Sequence, residues 1–527
     1  MTHPTHPRAP SGRAAGCPSR SPALYLYVTA FVGGAVSLGV ELAASRLLAP
    51  FFGDSLPVWA AIIGLILLYL TVGYFLGGRW ADHSPRAATL YQIALWGAFA
   101  VGILPFVSRP ILWLTAQGLF QLRLSAVLGP FIAVLLIFAL PVTLLGCLSP
   151  FVVRLLMARV EQAGAVAGRV YGISTVGSLL GTLLTVFVLV PALGTRLTFV
   201  TLSLALLLVA LIGLVREHPR RALLYSWMPI LVLALALCGR RGPVKPHEGA
   251  IYEAESAYHY IQIVERGGCR YLFLNEGMAI QSVYCPGARR VGGTWDLFAI
   301  APFFNPPPFG PSEVRSLAMV GLAGGTIPKL YTAFFGPIPI DGVELDPKIA
   351  AVGREFFGMR EPNLRVVVGD GRAFLARTDR RYTVVAVDAY RLPYIPWHLT
   401  TVEFFQEARR HLEEQGVVVV NVGRVPGDDR LVAAIAATLK EVFPSVHAIE
   451  IPDSFNTILV ATVQPTSPEN LRANRAYLSD PALREIADEA LANLRPVPPG
   501  GTVLTDDRAP VEAITHAIIL AYLFGRE

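Results

Sequence analysis

Apolar positions follow two different patterns, and the change falls near residue 240. Before it they form long, nearly unbroken runs; after it they form short runs separated by Gly, Pro and charged residues. A helix needs about 20 mostly apolar residues to cross the hydrocarbon of a bilayer. The runs at 24–44, 58–78, 90–107, 126–148, 170–190, 197–215 and 222–238 predict seven spans, the last one short and interrupted by Pro229. Segment 109–121 is amphipathic and predicts a helix lying at the interface. Glycines recur inside the runs (Gly33, Gly34, Gly39, Gly73, Gly77, Gly78, Gly172, Gly177, Gly181) and predict close helix packing in lipid. Residues 1–22, rich in Pro, Ser, Arg and His, read as a disordered basic tail, and the run behind them is too long for a signal-peptide core.

Beyond residue 246 the pattern is that of strands and amphipathic helices. Segments 258–264 and 270–274 predict two strands around a Gly267-Gly268 turn. After the Pro-rich stretch at 306–311, strands at 316–321, 339–344, 364–368, 382–387 and 416–422 alternate with helices at 325–334, 347–357, 371–376 and 401–413. An apolar helix follows at 510–524. Such alternation implies a mostly parallel sheet with helices on both faces. The expected architecture is a multi-span α-helical bundle (23–240), a small β-domain (246–310) and an α/β Rossmann-like domain of the methyltransferase type (311–527).

Composition sharpens this division. The chain has 527 residues, 53% hydrophobic and 16% charged, with a mean hydropathy of +0.51. Soluble domains carry about 45–50% apolar and about 25% charged residues, so a disordered chain is excluded and the composition argues against a wholly soluble one. Residues 1–240 hold 16 Arg, no Lys and five acids, a balance of +11; the remainder balances at −5. The basic excess lies in the apolar half, which argues against nucleic acid as partner and for the lipid bilayer. Arg8, Arg13, Arg20, Arg79, Arg86, Arg154, Arg159, Arg169, Arg216, Arg220 and Arg221 fall on one side of the predicted spans; Arg46, Arg123 and Arg196 fall on the other. The bias puts the N-terminus in the cytoplasm. Seven crossings would then leave the C-terminal half outside, whereas Arg240, Arg241 and Lys245 beside the short last segment favour keeping it inside, which is the side taken here. The five cysteines show no metal-ligand spacing; Cys269 and Cys285 could pair across a hairpin, but two free thiols are the expectation. In the apolar half, Glu41 is expected to pair with Arg46. The segment 77–86 looks like the short Gly/Asp/Arg loop of major facilitator transporters, joining the second and third spans.

Polar residues of the second half gather at predicted strand ends, where ligands of such sheets bind. Gly321-Leu322-Ala323-Gly324-Gly325 follows the first strand, Glu344-Leu345-Asp346 the second, Gly369-Asp370-Gly371 the third and Asp388-Ala389-Tyr390 the fourth. Glycines admit a ligand close to the backbone, and a carboxylate about 20 residues later binds a ribose. Glu344 stands at that distance, and an acid at the third strand end, Asp370, suits an adenine amino group. The competing role for each acid is helix N-capping; Asp506-Asp507 could likewise cap the helix beginning near Pro510.

At this level the chain resembles the polyamine aminopropyltransferase (spermidine synthase) family, and especially members fused to an N-terminal multi-span region. The resemblance rests on Glu255-Ser256-Ala257-Tyr258 on the first strand, Gly321 to Gly325, Val343-Glu344-Leu345-Asp346, Gly369-Asp370-Gly371-Arg372, Val387-Asp388 and Leu399-Thr400-Thr401-Val402-Glu403-Phe404-Phe405. It implies transfer of an aminopropyl group from decarboxylated S-adenosylmethionine to putrescine or a related amine, with no permanently bound cofactor or metal. It implies donor binding by Gly321, Gly324, Gly325, Glu344, Asp370 and Gly371, acid/base catalysis by Asp388, and acceptor binding by Tyr258, Asp296 and Tyr390. It is also compatible with a homo-oligomer. Three positions depart from the family pattern. Ala323 replaces an acid of the glycine loop, Arg391-Leu392-Pro393 replaces a second acid after the catalytic one, and His259 replaces a Gln. Arg391 would attract a carboxylate, so a methyltransferase using intact S-adenosylmethionine is the alternative enzyme. An amine transporter or sensor with a nucleoside-binding domain is the alternative outside enzymes.

Overall fold

The structure is a computed structural model that describes residues 20–53, 55–118, 125–239, 244–245, 247–275, 277, 279–390, 395–452 and 454–524. Most of the expected N-terminal tail, together with Arg391 and Tyr394, lies outside the described residues. The chain divides into two units, 1–44, 62–108 and 134–241 against 45–61, 109–133 and 242–527.

The first unit is helical. Its elements come from Arg20–Phe52, Leu56–His83, Ala87–Gly118, Ser125–Gly146, Leu148–Leu156, Ala163–Leu184, Val190–Glu217 and Trp227–Cys238. Among the described residues six apolar helical runs are long enough to cross a membrane, the last of them Pro219–Cys238. The longest, Val160–Glu217, has 58 residues, which as a straight helix would measure about 87 Å against a hydrocarbon core of about 30 Å. It breaks at Gly194, where φ is 77° and ψ 172°, so it supplies the fifth and sixth predicted segments. Segment 109–118 does not lie apart at an interface but continues the helix Ala87–Gly118. The expected loop at 77–86 shrinks to residues 84–86, because flanking helices run to His83 and resume at Ala87. At its end Asp82 accepts from Arg154 at 2.9 Å. Close packing is visible at Gly177 and Gly181, where a Cβ would lie 2.0 Å from the Phe31 carbonyl oxygen and 2.2 Å from that of Ala35; Gly78 and Gly172 face open space. Large apolar side chains such as Phe75, Leu140, Phe187 and Leu237 stand on the surface of these helices.

The second unit holds two sheets. Strands β1 (Ala250–Glu255), β2 (Tyr260–Arg266), β3 (Cys269–Leu274) and β4 (Ile280–Tyr284) form an antiparallel meander. Gly267 and Gly268 turn β2 into β3 with φ of 58° and 78°, the left-handed pair that a two-residue hairpin requires. Arg270 pairs with Tyr284, so the next cross-strand pair is Cys269 and Cys285. They form a disulfide with Cα atoms 4.3 Å apart, which corrects the expectation of two free thiols. Residues 255–258 are not on one strand: Glu255 ends β1, and Ser256 to Tyr258 lie in the bend before β2. Arg46, which belongs to this unit, donates to the carbonyl oxygens of Ser256 and of Tyr258 (3.0 Å) rather than to Glu41.

The larger sheet contains β5 (Leu317–Val320), β6 (Ile340–Glu344), β7 (Leu364–Val368), β8 (Tyr382–Val387), β9 (Leu412–Gly423), β10 (Ser445–Glu450), β11 (Asn456–Thr462) and β12 (Leu494–Arg495). Their order is β12-β10-β11-β9-β8-β5-β6-β7. The five strands β5 to β9 are parallel, and β10 to β12 extend the sheet antiparallel. Alternation along β9 shows why the sheet is buried on both faces. Val417 and Val419 enter a core with Phe298, Phe304 and Tyr331; Val418 and Val420 enter another with Phe404, Phe405 and Leu439. From β5 the chain proceeds one way to β6 and β7, then returns to lay β8 and β9 on the other side. That reversal between β5 and β8 marks a crevice at the carboxyl ends of the strands.

Candidate functional site

Register brings the predicted residues to that crevice. Val320 is level with Val343 on β6 and Val387 on β8, and Val387 is level with Val420 on β9. Gly321, Glu344, Asp388 and Asn421 therefore follow at one edge of the sheet. Gly321 has φ +89°, and a Cβ there would lie 2.4 Å from the Asp388 carbonyl oxygen. Glycine is required both by the backbone angle and by this approach. Asp388 N–H in turn donates to the Val320 carbonyl at 2.9 Å.

Glu344 is 7% exposed. Its Oε2 accepts from Ala323 N–H at 2.8 Å and its Oε1 from Asp346 N–H at 3.0 Å. Burial raises its pKa above the ordinary glutamate value, with the two N–H donors opposing. Ala323 takes a left-handed φ of 48° to aim that N–H. Gly325, φ 85°, precedes the helix Thr326–Phe335 as its N-cap, and Gly324 N–H donates to Ser282 Oγ at 2.8 Å.

The capping role weighed for the acids is realised at two of them. Asp346 caps Pro347–Phe356 through Lys348 N–H, and Asp370 caps Gly371–Leu375 through Ala373 N–H. Asp346, fully buried, also accepts from Ser256 Oγ and lies 3.3 Å from His259 Nδ1. Burial pushes its pKa up, but these donors win and hold it below the usual carboxylate range. Asp370 keeps a second oxygen 2.9 Å from His398 Nε2. There too burial is outweighed by donors, and the pKa is lowered.

Among the described residues no helix has Asp388 as its cap. Burial raises its pKa to about 6, and the one side-chain donor that pulls it down is Asn421 Nδ2, at 2.9 Å from Oδ1. A carboxylate at this setting is ionised near neutrality yet basic enough to take a proton. Tyr390 donates its hydroxyl to the Asn421 carbonyl at 3.1 Å, and burial near Asp388 raises its pKa. Tyr258 stands 44% exposed in the β1–β2 bend. Asp296 is 1% exposed, and its oxygens accept from Val291 N–H, Gly292 N–H and Arg290 Nε at 3.0 to 3.1 Å; its partners belong to its own loop.

Sequence reasoning missed Asn421 and Asn456. A lone Asn in the run Val417 to Val422 was the available signal, since an amide among buried valines needs a partner. Asp506 does not cap the C-terminal helix. It receives both Arg372 guanidinium nitrogens at 2.8 and 2.6 Å and the Thr401 hydroxyl at 2.7 Å, which braces the segment beyond Asp388.

Residues 326–473 match the Spermine/spermidine synthase domain. A probable polyamine aminopropyl transferase of Bifidobacterium longum is 30% identical over 289 residues, 51% of this chain and 63% of that protein. The polyamine aminopropyltransferase of Vibrio vulnificus is 26% identical over 272 residues, 50% of this chain and 88% of that protein. The human eEF1A lysine and N-terminal methyltransferase is 28% identical over 178 residues, 31% of this chain and 25% of that protein. The chain thus spans a little under two thirds of the length of the first relative, and half of this chain lies outside that match. The C-terminal half of the chain carries a match to the Spermine/spermidine synthase domain and is similar to polyamine aminopropyltransferases.

Proposed function

We propose that the protein is a membrane-anchored aminopropyltransferase that uses decarboxylated S-adenosylmethionine and putrescine or a related amine. The observation that carries this reading is the placing of Glu344 and Asp388 on either side of Gly321, at the reversal of strand order. Glu344 and the glycine loop hold the adenosine, with Asp370 at the adenine. The acceptor nitrogen attacks the aminopropyl carbon attached to the sulfonium. A C–N bond forms, the C–S bond breaks with its electron pair passing to sulfur, and methylthioadenosine leaves. Asp388 takes the proton that the amine must lose, and holding the two reactants in line supplies much of the rate. Tyr258 and Tyr390 contribute aromatic surface for the cations.

Ala323 supports one competing reading. With no acid in the glycine loop, a donor carrying a carboxylate meets less repulsion, which suits a methyltransferase. The transporter reading is weaker: two cavities of the helical unit are lined by Leu76, Arg79, Trp96 and Phe99 among others, with no carboxylate in either lining. A donor-by-acceptor assay on the full chain in detergent or liposomes, read by mass, separates the enzymes. Spermidine from putrescine and the decarboxylated donor is the expected product. A methylated product at equal or greater rate from the intact donor would overturn the proposal.

For the side of the membrane we place the catalytic domain in the cytoplasm, where the donor is made. Pro219–Cys238 is one of the runs long and apolar enough to cross, but a turn at 224–226 interrupts it. Its continuous helix Trp227–Cys238 has 12 residues, about 18 Å of rise against a core of about 30 Å, so we take it not to cross. Without it six crossings remain and both ends share a side. The Cys269–Cys285 bond points the other way, since cytosolic thiols are kept reduced. The strand pairing holds those residues adjacent with or without the bond, so helix length is the better guide. A C-terminal fluorescent reporter is expected to fluoresce, and a C-terminal alkaline phosphatase to be inactive; the reverse pair of results would move the domain outside.

A further inference from the structure

We propose that Asn421, oriented by Asn456, is a positioning residue that aims the Asp388 carboxylate at the acceptor amine. The inference rests on the role given to Asp388 above and extends it to two residues on neighbouring strands. Asn421 is 6% exposed, on β9, one residue beyond the level at which Val420 faces Val387. Its Nδ2 donates to Asp388 Oδ1 at 2.9 Å, and its Oδ1 accepts from Asn456 Nδ2 at 2.9 Å. Asn456 Oδ1 in turn accepts from the Ser454 hydroxyl at 3.2 Å. Every donor in this chain points toward Asp388.

The direction matters because a carboxamide has two unlike ends. Left alone, Asn421 could present oxygen to Asp388, and two acceptors would repel. Asn456 removes that option by occupying the Asn421 oxygen with an N–H. Tyr390 fixes the same residue from its backbone, its hydroxyl donating to the Asn421 carbonyl at 3.1 Å. With Oδ1 engaged, the carboxyl plane is set and Oδ2 is the oxygen turned to the amine. The bond also stabilises the ionised form, so it tempers the effect of burial and keeps Asp388 a base at neutral pH. No titratable side chain is hydrogen-bonded to the Asp388 carboxylate among the described residues.

The test compares Asn421→Leu, Asn421→Gln and Asn456→Ala with the parent, in the full chain, from pH 5 to 9. Asn421→Leu is expected to lower kcat about 10- to 100-fold, leave the donor KM within about twofold, and move the acidic limb of the profile upward. Asn456→Ala should show the same shift at smaller size, because Asn421 remains but is free to turn. Asn421→Gln, which keeps an N–H donor, should recover part of the loss. A second readout needs no turnover: carbodiimide labelling of Asp388 followed by mass across pH should shift upward in Asn421→Leu. An unshifted labelling profile, or parent kcat with an unmoved limb, overturns the proposal. A shifted labelling profile in a protein that turns over no amine upholds the positioning and overturns the assigned reaction instead. A misfolded Asn421→Leu leaves the decision to Asn456→Ala.

Discussion

Asp388→Asn is expected to cut turnover at least about 100-fold, in line with the loss of a general base, while donor affinity stays within about twofold. The substitution keeps the shape of the side chain and its bond to Asn421 is replaceable, but the amide cannot take the amine's proton. In the parent, kcat/KM should fall as pH drops through about 6, where the raised carboxyl becomes protonated; that limb should vanish in the variant. The sign for stability is opposite. A carboxyl whose pKa is raised by folding is disfavoured as an anion, and the penalty is present at neutral pH and relieved as pH falls through the raised value. Removing the charge should therefore leave Tm unchanged or raise it at pH 7. Single-turnover kinetics, donor calorimetry and a thermal melt check the three parts together. Turnover within tenfold of the parent would remove Asp388 from the base role.

Glu344→Gln should damage the other half of the reaction. Both carboxylate oxygens now accept backbone N–H groups, from Ala323 and Asp346. A glutamine offers one oxygen and one NH2, so one of those N–H groups would face another donor while buried. Hydrogen bonds to a charged group are worth about 1.5–3 kcal/mol, and 1.4 kcal/mol is a factor of ten. Donor Kd is expected to rise about 10- to 100-fold, with kcat at saturating donor changed far less. Calorimetric titration of the two variants should show opposite failures: Glu344→Gln binds poorly, Asp388→Asn binds and does not turn over. Unchanged donor affinity would take Glu344 out of the donor site.

The strands that carry the site were readable because each ends in an unmistakable change, from Val and Ala to Gly or an acid. The predicted 364–368 and 382–387 coincide with β7 and β8, 339–344 exceeds β6 by one residue, and 316–321 exceeds β5 by one residue at each end. What pattern could not supply was pairing. Whether Cys269 reaches Cys285 depends on the β3–β4 register, which shifts between Leu272 and Phe273, and no local signal announces a bulge. The link from Asn421 to Asp388 likewise needs β9 beside β8 and β11 beside β9, a property of strand order rather than of any one strand. Ser256 to Tyr258 look like strand residues by alternation, yet they form the bend where Ser256 N–H meets the His259 carbonyl at 2.8 Å. Length was legible in the helical half, but continuity was not: a Gly-containing apolar run looks the same whether Gly194 breaks the helix or Gly181 packs inside it.

Asp346 has a wider meaning than a helix cap. It is the residue next but one to Glu344, its N–H is held by Glu344, and its carboxylate grips Ser256 and sits beside His259 in the small β-domain. Lys348, two residues on, reaches the Glu255 carbonyl at 3.1 Å. On the proposed function, a donor that pulls on Glu344 would pull on the meander as well, through Asp346 and Lys348. Binding energy gained at the ribose would then firm the bend that carries Tyr258 before any amine has entered, an order of events in which the nucleoside prepares the place for the nucleophile.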